Sequence, residues 1–198
     1  MKPTLEELKT ACPDVNETFI ENHLKRLDDR YFQSFSKRDL CRHVTGLFGL
    51  TTRNFVKVIS DVRKDGTLDC TVLAFDYPSE FSVITGILAG MGFSIISGDV
   101  FTYDPVVEEH PRASHRRRPA RARAPEDLLK RRRIVDHFTG VVDVSFSLQT
   151  WLTQLKENMV TIIGLLERGD AESVEEAKRR VNEMVVKRLT HLSLDSTP

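Results

Sequence analysis

Three kinds of residue in this 198-residue chain have the chemistry to hold or transform another molecule: histidines beside acids, cysteines, and a dense run of arginines. The dipeptide Asp136-His137 has the donor types of a metal-dependent phosphohydrolase. That chemistry needs a His-Asp order and further His and Asp ligands in a helical domain, and the sequence offers none. His43 stands alone in a helix-forming stretch, the ordinary setting of a packed or surface imidazole. Cys12, Cys41 and Cys70 are isolated and odd in number, without a CxxC pair. They fit neither a disulfide framework nor a zinc site and read as reduced thiols. There is no glycine-rich phosphate cradle, no Ser-His-Asp arrangement and no paired carboxylate in a catalytic context. The expectation is a non-catalytic chain with no metal and no cofactor.

Formal charge is zero, but ten Arg and Lys residues lie between positions 112 and 133 against only Glu126 and Asp127. Arg116, Arg117, Arg118, Arg121, Arg123, Arg131, Arg132 and Arg133 form a candidate anion-binding set. Such a set can neutralise several phosphates and give salt-dependent attachment to nucleic acid or to an acidic partner. No aromatic residue is interleaved with these arginines, and a solvated charge run is the simpler reading. Pro, Arg and Ala dominate residues 104–132, which are expected to be a largely disordered insert. So few apolar groups cannot offset an ordering cost of about 1–2 kcal/mol per residue.

The elements that would position any site centre on residues 68–103, LDCTVLAFDYPSEFSVITGILAGMGFSIISGDVFTY. An apolar run (68–75), a turn (76–79), an amphipathic run (80–91), Gly92 and a second apolar run (93–101) read as strand, helix, strand. This stretch resembles an ACT domain, and is most similar to the ACT repeats near the C-terminus of bacterial protein-PII uridylyltransferases. The preceding RYFQSFSKRDLCRHV, with His43, resembles the segment leading into the first such repeat. The resemblance implies an antiparallel ferredoxin-like sheet with helices on one face, and a ligand site at a dimer interface that takes an amino acid, glutamine being the favoured one. The residues matching the family's ligand turns are Asp76, Tyr77, Pro78 and Ser79, then Gly92, Phe93, Ser94 and Ile95. Helix-terminal amides would hold the ligand carboxylate and an acidic side chain its ammonium. Ser79 and Ser94 depart from the glycine and asparagine usual in the family.

Around this core the sequence predicts helices over 3–10, from a cap at Asn16 to near Arg30, and from a cap at Ser36. A strand over 54–62 is followed by Asp65-Gly66, a hairpin signal, and is expected at an edge of the sheet. A half-buried strand resumes at Arg133, with Phe138 and Val142 alternating against His137 and Thr139, and continues the pattern to Val144 and Phe146. From Ser147 a five-turn apolar stripe predicts a long helix. Gly169-Asp170 breaks it, and Ser173 with Glu176 is read as the capping box of a last helix.

The fold class expected is α+β: an N-terminal helical lead (1–50), an ACT-like unit (51–192) carrying the insert (104–132), and a C-terminal helical hairpin (147–192). The expected role is that of a regulatory module in amino-acid or nitrogen metabolism, working as a homodimer. Two alternatives stay open: the regulatory part of a uridylyltransferase-like nucleotidyltransferase with a protein partner, and a binder of nucleic acid or acidic protein. The start, MKPTLEELKT, has no apolar core of a leader, and a cytoplasmic protein with no membrane contact is expected.

Overall fold

The computed structural model describes residues 2–106, 125–143 and 147–195 of the 198. In chain order the elements are α1 (Leu5–Ala11), α2 (Glu17–Arg26), α3 (Asp29–Ser34), α4 (Lys37–Phe48), β1 (Val56–Val62), β2 (Leu68–Phe75), α5 (Glu80–Gly90), β3 (Phe93–Thr102), α6 (Pro125–Lys130), β4 (Arg133–Val142), α7 (Leu148–Arg168) and α8 (Ala171–Asp195). The fold is α+β, with one four-stranded antiparallel sheet in the order β1-β2-β4-β3.

β2 and β3 both run against β4, so they are parallel to each other and joined by α5, the split βαβ unit of a ferredoxin-like sheet. The fourth position of such a sheet, beside the first strand of the unit, is filled by β1. That strand comes from the N-terminal side and not from after the last helix. The strand order therefore corresponds to a ferredoxin-like sheet with its last strand moved to the front of the chain, which is why β1 sits at an edge, as expected.

Helices cover both faces. On one face, Tyr31 lies edge-on to Phe101 at 5.3 Å between ring centroids and Phe35 to His137 at 5.2 Å. α4 comes so close that a Cβ on Gly46 would be 2.5 Å from Leu73 Cδ1. On the other, Phe81 of α5 leans on Phe138 at 6.3 Å, and Trp151 of α7 stacks on Phe93 at 5.8 Å and donates to Met91 O at 2.8 Å. A single apolar core runs from Leu8 through the sheet to Val181.

The C-terminal helices turn back at Gly169, whose φ of 75° closes α7. The surplus apolar face of α7 meets α8 within the chain. Close approach of α8 to α5 depends on two glycines one turn apart. A Cβ on Gly86 would be 2.2 Å from Val181 Cγ1, and one on Gly90 would be 2.8 Å from Met184 Cβ and 3.1 Å from its backbone carbon.

Three expectations need correction. The helix read from Asn16 to Arg30 is two helices, because Leu27 is extended and Asp28 caps α3 by accepting from Tyr31 N–H at 3.0 Å. The last helix starts before Ser173: Asp170 accepts from Ser173 N–H at 2.8 Å and is the cap. The Asp65-Gly66 hairpin joins β1 to β2 as expected, through a three-residue loop with Gly66 at φ 85° and Arg63 N–H donating to Thr67 O at 2.8 Å; Gly66 takes the left-handed position after a turn. The end of the expected disordered insert is ordered, residues 125–130 forming α6. Residues 107–124, and the continuation of β4 to Val144 and Phe146, lie outside the described residues.

Gly90→Val places two methyls against the α8 backbone and is expected to lower unfolding free energy by about 1–3 kcal/mol in urea titration. A loss well under 1 kcal/mol would mean that α8 is free to move away.

Candidate functional site

The 76–79 turn is built by the end of β2 and the start of α5. Asp76 N–H donates to Arg132 O at 3.0 Å, and its carboxylate pairs with Arg132 Nη1 at 3.0 Å. Tyr77 is buried; its hydroxyl donates to Glu167 at 2.7 Å, and Arg131 donates to the same carboxylate at 2.8 and 3.0 Å. Pro78 and Ser79 are exposed. Ser79 has φ 66°, and among the described residues it alone is left-handed without being glycine. The turn therefore keeps the backbone path that glycine favours, with serine bearing the strain.

The second set of expected ligand residues lies at the opposite end of α5. An eleven-residue helix separates the two turns by roughly 16 Å, so one chain does not bring Asp76 and Ser94 together. Gly92 has φ 77°, and a Cβ there would be 2.6 Å from Asp143 O. Asp143 N–H donates to Gly92 O at 2.8 Å, and Arg188 of α8 donates to the Asp143 carboxylate at 2.6 Å and to its carbonyl at 2.8 Å. Phe93 is buried in the core, while Ser94 and Ile95 are exposed.

Behind Asp76 the fold places two acids that the sequence reading did not assign to the site. Glu80, 6% exposed, accepts from Tyr77 N–H at 3.3 Å. Asp136 is fully buried on β4 between Val72 and Val100, and neither carboxylate oxygen has a hydrogen-bond partner. Burial, then the charge of Asp136, raises Glu80 to about 8; burial, then the charge of Asp76, raises Asp136 to about 7. This end of the sheet holds carboxyls that keep protons near neutrality because ionised carboxylates are poorly solvated there.

A separate cleft of about 340 Å³ opens where α3 and α4 leave part of the sheet face uncovered. Its floor carries Asp61, Asp69, Thr71 and His137, and its wall Arg38, Arg42 and His43. Arg42 bridges Asp61 and Asp39, and Arg63 donates to Asp69 at 2.7 Å. His137 Nδ1 meets Thr71 Oγ1 at 2.9 Å. His43 is 2% exposed with Nδ1 3.1 Å from the Tyr31 hydroxyl, so it is a packed imidazole that also touches a cleft. Burial lowers it to about 4 and it is neutral at pH 7.

Of the candidate anion-binding arginines, Arg116, Arg117, Arg118, Arg121 and Arg123 lie outside the described residues. The other three are committed to the fold. Arg131 is held by Glu167 and lies 3.7 Å over the Phe75 ring, Arg132 binds Asp76 and Tyr103 O, and Arg133 is 2% exposed and donates to the carbonyls of Leu128, Leu129 and Arg131. Among the described residues no group of three or more His, Cys, Asp or Glu could hold a metal ion, and no helix is long and apolar enough to cross a membrane.

Ser79→Gly removes the left-handed strain and is expected to stabilise the chain by about 1 kcal/mol, read from denaturant midpoints; a loss of stability would contradict the strained turn. The folded chain binds more protons than the unfolded one at Glu80 and Asp136, so stability is full below pH 4 as far as these groups go and declines as pH rises through 7 to 8. Asp136→Asn should flatten that decline, gaining roughly 1–3 kcal/mol at pH 8 relative to its effect at pH 5. Parallel stability curves for the two proteins across that range would show that Asp136 is not the group responsible.

Compared with models of known protein families and with curated proteins, the sequence matches none.

Proposed function

We propose that this chain is a non-catalytic regulatory module that pairs with a second copy through β3 and holds an amino acid between the 76–79 turn of one copy and the 92–95 turn of the other. The observation that carries this reading is the outer edge of the sheet. β3 is a ten-residue strand at an edge of the sheet, and it exposes Ile95, Ile96 and Val100 at 41%, 65% and 41%. Phe81, 46% exposed on α5, adds to the same side. Long apolar edges invite strand pairing, and soluble proteins ordinarily blunt them. Here a bulge between Ile95 and Ser97 interrupts the register to β4, leaving residues 97–102 regular enough to pair.

Two-fold antiparallel pairing of β3 with its copy reverses one unit against the other. The upper end of one α5 then lies at the same level as the lower end of its mate. That relation brings an Asp76 turn near a Ser94 turn, which a single chain keeps apart. The Asp76 carboxylate, partly exposed and paired on one side with Arg132, is the group at this turn that can accept from an ammonium. The N-terminal helices occupy one sheet face and α5 and α7 the other, which favours edge pairing over face-to-face stacking of sheets.

Sedimentation equilibrium tests the pairing: wild type is expected to be dimeric at micromolar concentration, and Val100→Lys to be monomeric with an unchanged circular dichroism spectrum. Thermal unfolding against the twenty amino acids at millimolar concentration tests the ligand. Saturation at 100 times the dissociation constant adds about 2.7 kcal/mol. A shift with glutamine or another single amino acid, lost in Asp76→Ala and in Val100→Lys, supports the composite site. A monomeric wild type, or a dimer that no amino acid stabilises, removes the pairing or the sensing part respectively.

A further inference from the structure

The three cysteines look unrelated in sequence, but the fold brings two of them together. Cys12 caps the C-terminus of α1, Cys41 lies on α4 29 residues further on, and their sulfurs are 2.7 Å apart. Both are free thiols. A disulfide needs the sulfurs at about 2.05 Å, so bonding asks for closure by roughly 0.7 Å, within the reach of side-chain rotation. The two differ in access. Cys12 is 2% exposed, whereas Cys41 is half-buried and donates to Ala11 O at 3.1 Å. Cys70 is fully buried on β2, opposite Phe138, on the sheet face covered by α5 and α7, and cannot reach either.

We propose that Cys12 and Cys41 form an oxidation site that a hydroperoxide converts into an intramolecular disulfide joining α1 to α4. The accessible Cys41 reacts first. Its thiolate sulfur attacks one peroxide oxygen, the S–O bond forms, the O–O bond breaks, and the departing hydroxide takes up the thiol's proton as water. The Cys12 sulfur then attacks the Cys41 sulfenic sulfur, forming S–S and breaking S–O; the hydroxide released accepts the Cys12 proton as a second water. Two thiols lose two electrons and one hydrogen peroxide gains them.

The division of labour follows from the surroundings. Burial, then hydrogen bonding to Cys41, pushes the Cys12 thiol up to about 12, so it stays protonated and unreactive toward free oxidant. Held in contact with its target, it needs no encounter, and sulfurs of high pKa are intrinsically strong nucleophiles once the proton leaves. Cys41 is followed on α4 by Arg42 and His43, which wall the charged cleft, so the bond would tie that wall to α1. The inference is independent of the dimerisation and amino-acid reading above.

The test uses the full reduced chain, exposed to hydrogen peroxide in modest excess, quenched with an alkylating agent under denaturing conditions and analysed by mass spectrometry. The expected product is 2 mass units lighter, carries one alkyl group on Cys70, and yields a tryptic cross-link between peptides 10–25 and 39–42 that dithiothreitol reverses. The oxidised form should melt roughly 5–10 °C higher than the reduced one, because the bond restricts the unfolded chain. Cys41→Ser, at a half-exposed position, should lose the cross-link while keeping the fold, and Cys70→Ser should retain it. The proposal is overturned if wild type ends with Cys41 as sulfinic acid or in an intermolecular disulfide while Cys12 remains alkylatable, or if all three thiols alkylate after exposure.

Discussion

Two buried guanidinium groups at the end of α6 hold the layers of this protein together. Arg26 of α2 donates to the carbonyls of Asp104, Leu129, Lys130 and Arg131, and Arg133 at the start of β4 to those of Leu128, Leu129 and Arg131. A cation taken out of water costs several kcal/mol unless donors find acceptors. Here the acceptors are Asp104 O and the carbonyls at and just past the end of α6, where unsatisfied C=O groups and the negative end of the dipole favour positive charge; Arg133 Nε is the one guanidinium nitrogen of the two left without an acceptor among the described residues. Ring faces complete the surroundings, with the Arg26 guanidinium 4.9 Å from the Tyr103 centroid and that of Arg133 5.1 Å from Phe19. Burial lowers Arg133 to about 10, which still leaves it charged at neutral pH. The N-terminal layer, the sheet and the end of the chain segment beyond β3 are fixed at one point.

From that point a buried polar chain runs through the N-terminal layer. Tyr103 meets His23 Nδ1 at 2.6 Å, and Tyr31, packed on His23, meets His43. Burial lowers His23 to about 3, so His23 and His43 are both neutral above pH 5 and act as hydrogen-bonding core residues. Glu80 and Asp136, under the first turn of α5, are instead buried acids that change charge near neutrality. The charged cleft arises from a different constraint: α3 and α4 follow the apolar part of the sheet face and stop where β2 and β4 present Asp69, Thr71 and His137.

Much of this arrangement was readable from residue order. The strand from Arg133, the apolar stripe of α7, the caps at Asn16 and Ser36 and the glycine at 169 each encode local geometry within a few residues; the half-buried alternation expected of that strand does not hold, because β4 is central and helices on both faces bury Asp136 and Thr139 alike. Expectations failed where two local signals competed. Asp28 could continue a helix or cap a new one, and the cap won; Asp170 capped α8 in place of Ser173, because the helix starts directly after the left-handed Gly169. α6 was missed because its stability comes from Arg26 and Arg133, about a hundred residues and a few residues away respectively, and not from its own apolar content.

By itself the sequence determined the α+β class, the strand-helix-strand unit, the edge position of β1 and the residues at both turns of α5, since periodicity, caps and left-handed glycines act over short range. Only the tertiary structure decided that the strands stand in the order β1-β2-β4-β3 and that Arg131 and Arg133 serve the core while Arg132 holds the Asp76 turn. It alone gathered Glu80 and Asp136 behind Asp76 and set Cys12 against Cys41. Such pairings join residues tens of positions apart through packing, and nothing in local spacing reports which distant side chains a close-packed core will bring into contact.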